Sequence, residues 1–298
     1  MNLKSPKFTA ASFRFEGGRT RLNLQQVPTG IQAFYKDEAD RRRVMDELTA
    51  RMDQLQNEMH AHERYGLVVL FQAMDAGGKD SSIRHVFAGI NPSRFKVAAF
   101  KKPSKQELAH DFLWRFWQEL PERGYIGIFN RTYYEEVLVE RVHPERLSES
   151  QIPDEFLQDP DQLWKERYAD MAHFEDYLHR NGFRVIKFFL HVAKEEQGQR
   201  LINRLSDSEK QWKLSESDLE EREHWDAYLD AYDDMLNATA TRRCPWYIIP
   251  SDDRANQQLI IARIMVEILE SLPIEFPQRD DKEAKKLIGI IRKQDRKE

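Results

Sequence analysis

Residues 67–87 read LVVLFQAMDAGGKDSSIRHVF, and the reading of this stretch decides the fold. Five consecutive apolar residues, Leu67 to Phe71, lead into a loop holding Gly77, Gly78 and Lys79, after which Ile83, Val86, Phe87 and Ile90 recur at helical spacing. Strand, loop and helix follow in that order. An apolar run without polar alternation is what a strand of a parallel sheet covered on both faces requires. A loop that opens a helix turns N–H groups and the positive end of the helix dipole toward any anion. The ligand this predicts is phosphate.

The loop resembles a Walker A motif, G-x-x-x-x-G-K-[ST], with two departures: Ala73 stands at the first glycine and Asp80 at the hydroxyl position. Gly77 and Gly78 let the backbone approach an oxyanion, Lys79 reaches over it, and Ser81 or Ser82 offers a hydroxyl to the phosphate or its metal. Asp75 is foreign to the motif. A carboxylate facing phosphate is repelled unless a cation lies between them, which marks Asp75 as a magnesium-directed group. The competing reading is a local cap of the loop or helix.

At 298 residues the chain is long enough to bury a substantial core, and with 40% hydrophobic and 33% charged residues it reads as a globular protein with a densely charged surface. No apolar run approaches membrane-spanning length, and MNLKSPKFTA at the N-terminus lacks an apolar leader core, so no membrane partner and a cytoplasmic location are expected. The single cysteine, Cys244, excludes an internal disulfide and a cysteine zinc cluster, and it reads as a small buried residue rather than a nucleophile. A net charge of −5 argues against a general nucleic-acid binder. Any polyanion must then be held by a local cationic patch.

Outward from the loop, Val44, Leu48, Met52, Leu55 and Met59 predict a long amphipathic helix over 36–63, preceded by an extended arm over 1–35. Strands are expected at 95–100, 125–129, 183–192 and 246–249 in addition to 67–71. A helix opening at Pro103-Ser104 carries Leu108, Phe112, Phe116 and Leu120 on one stripe, and further helices are expected over 161–180, 218–240 and 254–272. Five strands alternating with helices predict a parallel α/β sheet covered on both faces. Ligands of such sheets bind beyond the carboxyl ends of the strands, where Lys101, Lys102 and Lys105 follow one strand and Asn130, Arg131, Glu135 and Glu136 follow another. The two glutamates read either as metal-directed acids or as complements to a helix dipole. After the strand ending near Val192, Arg200 and Arg204 lie one helical turn apart, with Lys194, Lys210 and Lys213 around them. That segment reads as an ordinary charged helix or as a lid closing over phosphates.

Taken together, AMDAGGKDSSIRHVFAGINP (73–92), FKKPSKQEL (100–108), FNRTYYEEVLVERV (129–142), FFLHVAKEEQ (188–197) with EKQWK (209–213), and PWYIIPSDD (245–253) resemble the polyphosphate kinase 2 family. The resemblance runs from about residue 15 to 275, and the FNR and AMDAGGKD segments resemble the branch that phosphorylates both AMP and ADP. It implies a P-loop-kinase-like fold: one catalytic domain over 36–275 with a helical lid at 193–215, and a tail over 276–298. It also implies reversible phosphoryl transfer between inorganic polyphosphate and AMP, ADP or ATP, with guanine nucleotides as further candidates, magnesium as the metal and manganese as its alternative. Asp75 and Glu136 would hold the metal, and Lys79 and Arg131 would act on the transferring group. Phosphate or nucleotide would be bound by Gly77, Gly78, Asp80, Ser81, Lys102, Asn130, Glu135, Lys194, Arg200 and Arg204. Where the related branch commonly has aspartate, this chain has Glu136, one methylene longer.

The chemistry agrees from below. The acceptor phosphate oxygen is already ionised near neutral pH, so the obstacle is repulsion between anions, which metal and cationic side chains remove. Two rivals remain: a nucleoside-phosphate kinase with ATP as donor, and a polyanion- or nucleic-acid-binding protein without catalysis that has no need of Asp75 or Glu136. Long exposed helices predict a homo-oligomer.

Overall fold

The computed structural model describes residues 8–18, 20–149 and 151–295. Part of the N-terminal stretch read for a leader, residues 1–7, lies outside the described residues. Six strands, β1 (Arg14–Phe15), β2 (Gly66–Ala73), β3 (Phe95–Ala99), β4 (Ile126–Asn130), β5 (Phe183–His191) and β6 (Trp246–Pro250), form one sheet in the order β1-β6-β5-β2-β4-β3. The strands from β2 to β6 pair in parallel, and β1 pairs antiparallel with β6. The decisive stretch therefore occupies the middle of the sheet. Every residue of β2 is buried, as its unbroken apolar run requires.

The helices are α1 (Glu38–His62), α2 (Lys79–Val86), α3 (Lys105–Leu108), α4 (Trp114–Trp117), α5 (Glu135–Val142), α6 (Pro160–Arg180), α7 (Lys194–Leu205), α8 (Glu216–Glu223), α9 (Trp225–Thr239), α10 (Arg254–Glu270) and α11 (Asp281–Gln294). On one face of the sheet α1 and α10 bury Val44, Leu48, Met52, Leu259 and Ile264 against Val69 and Phe71. On the other, α5, α6 and α9 bury Val137, Met171, Tyr168 and Met235 against Val68, Leu70 and Phe189. None of the described helices is long and apolar enough to cross a membrane.

Three differences from the sequence reading have local causes. The N-terminal arm adds a sixth strand, β1, to the five expected, and beyond it His191 Nε2 on β5 meets the carbonyls of Leu24 and Val27 at 3.1 and 3.2 Å. A two-residue strand carries no period to read. The helix expected from Pro103 onward breaks into α3 and α4, because the Asp111 carboxylate accepts from the Leu113 N–H and supplies a turn between them. The helix expected over 218–240 divides at His224, with the capping box of Ser215 and Asp218 opening α8.

Candidate active site

The carboxyl ends of β2 and β4 lie side by side, with Phe71 paired to Asn130, so the loops after them face one another. In the loop after β2 the backbone turns twice through the left-handed region, at Ala76 (φ 56°) and Gly78 (φ 104°). A side chain on Gly77 would lie 2.6 Å from the Ala73 Cβ, so the tight turn excludes one there.

Every carbonyl from Ala73 to Gly78 accepts a hydrogen bond. Lys79 Nζ donates to Ala73 O at 2.7 Å, Gln197 Nε2 to Asp75 O at 3.0 Å, Arg200 Nη1 to Ala76 O at 3.1 Å, and Gln257 Nε2 to Gly77 O at 3.3 Å. Backbone amides of Gly77 and Ser82 take the carbonyls of Met74 and Gly78. With the carbonyls engaged, the N–H groups opening α2 supply the loop's anion-binding character, and the N-cap Gly78 has no side chain to occupy them. Lys79 lies among Asp75, Glu135, Arg131 and Asp80; burial pushes its ammonium pKa down, and Asp75 and Glu135 pull it back up.

Arg131 follows β4 directly and also adopts a left-handed backbone, φ 63°, which costs a non-glycine residue roughly 1 kcal/mol or more. Its Nη2 lies 3.8 Å from Asp75 Oδ1, with both side chains partly exposed. Asn130 Nδ2 donates to Asp80 Oδ1 at 2.6 Å, tying the two loops together. Ser81 Oγ accepts from Gln258 Nε2 at 3.2 Å, and buried Ser82 Oγ has no partner among the described residues. One residue that the sequence reading did not single out joins this group. Tyr232 on α9 has its ring buried against Phe189, 4.7 Å between centroids, and burial followed by the charges of Glu135 and Asp75 keeps its hydroxyl protonated. Only the packing of α9 over the sheet reveals it.

Glu135 and Glu136 part company. Glu135 acts electrostatically on Lys79, Arg131 and Tyr232, which places it on the loop side. Glu136 turns the other way: Arg115 Nη2 donates to its carboxylate at 3.3 Å, and it lines a cavity of about 400 Å³ with Glu140, Phe112 and Arg167. Burial and then the neighbouring Glu140 push its pKa up to about 8. Adjacent positions on a helix point about 100° apart, and the expectation that Glu136 binds metal is corrected on that ground.

Arg200 needs a second correction. Instead of standing free to clamp phosphate, its guanidinium is buried and engaged by Ala76 O, Ser251 O, Asp252 O and Glu196. Arg204, one turn on, is half-buried beside Arg254 and lowers that residue's pKa, though burial lowers it more. Lys194 opens α7 with its ammonium 5.9 Å from the Trp225 ring, and Lys102 lies exposed in the bend after β3. Cys244 is buried, and burial pushes its thiol up to about 12, which removes it as a nucleophile.

Among the described residues no group of three or more His, Cys, Asp or Glu side chains forms a protein-only metal cage. The donor set that does exist fits magnesium, which keeps waters and takes one or two carboxylates together with substrate phosphate oxygens. Asp75 and Glu135 are carboxylates of that kind on facing loops, both acting on Lys79 and Arg131.

A family model described as polyphosphate kinase 2 matches residues 35–277. Over 286 residues the chain is 42% identical to an ADP-polyphosphate phosphotransferase of Rhodopseudomonas palustris, covering 95% of this chain and 98% of that one. Over 231 residues it is 43% identical to an AMP/ADP-polyphosphate phosphotransferase of Meiothermus ruber, covering 78% and 82%. The crystal structure of polyphosphate kinase 2 from Arthrobacter aurescens TC1 superposes with a TM-score of 0.84 at 30% identity, over 97% of this chain and 98% of that one.

Proposed function

The chain belongs to the polyphosphate kinase 2 family and is a polyphosphate:nucleotide phosphotransferase; we propose that it passes phosphoryl groups reversibly from inorganic polyphosphate to AMP and then ADP, using the cleft between the loops after β2 and β4. The observation that carries this reading is the convergence of Asp75, Lys79, Arg131 and Glu135 on a loop whose carbonyls are all engaged. A magnesium ion, or manganese in its place, would be held by Asp75 and Glu135 and would supply charge neutralisation between the two phosphate chains. Lys79 leaves the Ala73 carbonyl to meet phosphate, Arg131 meets the transferring group from the opposite loop, and the α2 amides bind the oxygens between them. Asp80 and Asn130 hold the two loops in register so that donor and acceptor meet in line.

Lid closure within 193–215 belongs to this proposal only for the part beyond Arg200, because Gln197 and Arg200 fasten the start of α7 to the loop. Lys102, Lys194 and Arg204 are then the further cations proposed to meet phosphate. A cytoplasmic location and a homo-oligomer complete the reading, the latter because α11 exposes Leu287, Ile288 and Ile291 on one face.

The test is product formation with purified protein, magnesium and polyphosphate, offering AMP, ADP, GMP and GDP separately with no nucleoside triphosphate. ATP appearing from AMP by way of ADP is the expected outcome, together with its loss in Lys79→Ala. Product from ADP alone would withdraw the AMP step. Turnover only after ATP is added as donor would overturn the polyphosphate reading.

A further inference from the structure

A lysine in the middle of a buried parallel strand is the least expected residue of this sheet. Lys187 on β5, paired with Leu70 and Trp246 in the neighbouring strands, is wholly buried, and so is its partner Glu175 on α6. Lys187 Nζ donates to Glu175 Oε2 at 2.7 Å, to Thr239 O at 2.8 Å and to the Tyr134 hydroxyl oxygen at 3.2 Å. The other carboxylate oxygen, Oε1, accepts from the hydroxyls of both Tyr133 and Tyr134, at 2.7 and 2.6 Å. Trp246 Nε1 donates to Thr239 Oγ1 at 3.0 Å and closes the network.

An ion pair removed from water gains less than well-packed apolar residues of similar size would, so stability alone gives no reason for it. Its geometry gives one. Tyr133 and Tyr134 stand between Arg131 and Glu135, the two residues that the loop after β4 contributes to the site. Thr132, equally buried, accepts from the Tyr134 N–H at 3.1 Å. Arg131 keeps a strained left-handed backbone, and such a conformation persists only where its surroundings over-determine it. The buried carboxylate, gripping two consecutive side chains of that turn, is what over-determines it.

We propose that the Glu175–Lys187 pair is a positioning device for phosphoryl transfer, acting through Tyr133 and Tyr134 to set Arg131 and Glu135. The pair touches neither substrate nor metal, and the inference rests on the phosphotransferase reading above. Glu175 supplies two acceptor oxygens of fixed direction, and Lys187 holds the other side of the carboxylate inside the core.

The test compares the wild type with Tyr133→Phe/Tyr134→Phe, Glu175→Leu/Lys187→Met and Glu175→Gln. Melting temperature is measured for each, and kcat and KM for AMP and polyphosphate are measured well below the melting range. The expected result is a folded Tyr133→Phe/Tyr134→Phe protein whose kcat falls at least tenfold while both KM values stay within about twofold. Glu175→Leu/Lys187→Met, which removes both charges together, should fold and lose turnover to a similar degree. Glu175→Gln keeps an acceptor for the tyrosine hydroxyls and should retain more turnover than the leucine variant. Folded variants with kcat within twofold of wild type would overturn the proposal. Should a double variant fail to fold, Tyr134→Phe alone decides the matter on the same kcat criterion. A wild-type protein inactive with polyphosphate removes the phosphotransferase reading itself, an outcome distinct from active wild type with unaffected variants.

Discussion

Arg131 faces Asp75 across the cleft with 3.8 Å between Nη2 and Oδ1, too far for a hydrogen bond and near enough for each charge to feel the other. Both side chains are partly exposed, so the pair contributes little to stability. Its value lies in the gap, where a phosphate and its metal can be received by opposite charges from opposite loops. Asp75→Asn keeps the shape and removes the charge. Turnover should fall by roughly two orders of magnitude or more, the scale of losing one electrostatic contact to the transition state, while melting temperature stays within a few degrees. Near-normal turnover in a folded Asp75→Asn protein would take that residue out of the mechanism.

Arg131 also separates stability from activity. Its φ of 63° suits glycine, so Arg131→Gly should relieve strain of about 1 kcal/mol, offset in part by glycine's larger entropy in the unfolded chain. The variant should melt no lower than the wild type and should lose most turnover. Lysine at the same position should not restore it, because the planar fork is lost. A large drop in melting temperature for Arg131→Gly would show that the guanidinium supports the fold.

The two neighbouring glutamates give opposite expectations. Glu135 acts on Lys79 and Arg131, whereas Glu136 is occupied by Arg115 and the cavity behind α5. Glu135→Gln should reduce kcat by at least tenfold and raise the divalent-metal concentration needed for half-maximal rate. Glu136→Gln should leave both within about threefold. The reverse result would return the metal to Glu136.

Much of this was legible in the residues because it followed from period and position. The apolar run from Leu67 to Phe71, the helical spacing of Val44 to Met59, and the loop at Gly77-Gly78-Lys79 each specify an element without tertiary information. What escaped was what only packing decides. Glu135 and Glu136 differ by one helical step, and sequence carries no sign of which faces the loop. Arg200 has the spacing of a surface helix residue but is drawn inward by three carbonyls that β6 and the loop bring together from 51, 52 and 124 residues away. Tyr232 and Lys187 likewise take their meaning from elements distant in sequence.

The displaced glutamate finally makes stability depend on pH in a predictable direction. Burial raises the folded-state value of Glu136 to about 8 from an ordinary 4.5. Below the ordinary value both states hold the proton, and the group is neutral in its effect. Between the two values the unfolded chain releases the proton while the folded chain retains it, so stability falls as pH rises, by up to ~1.4 kcal/mol per unit, and levels off above the folded value. Glu136→Gln, the uncharged isostere of the protonated acid, should lack this slope. Its melting temperature relative to wild type should therefore grow across a series from about pH 5 to about pH 8.5, the isostere gaining most at the alkaline end. A difference that stays constant over that range would mean that Glu136 is ionised in the folded protein.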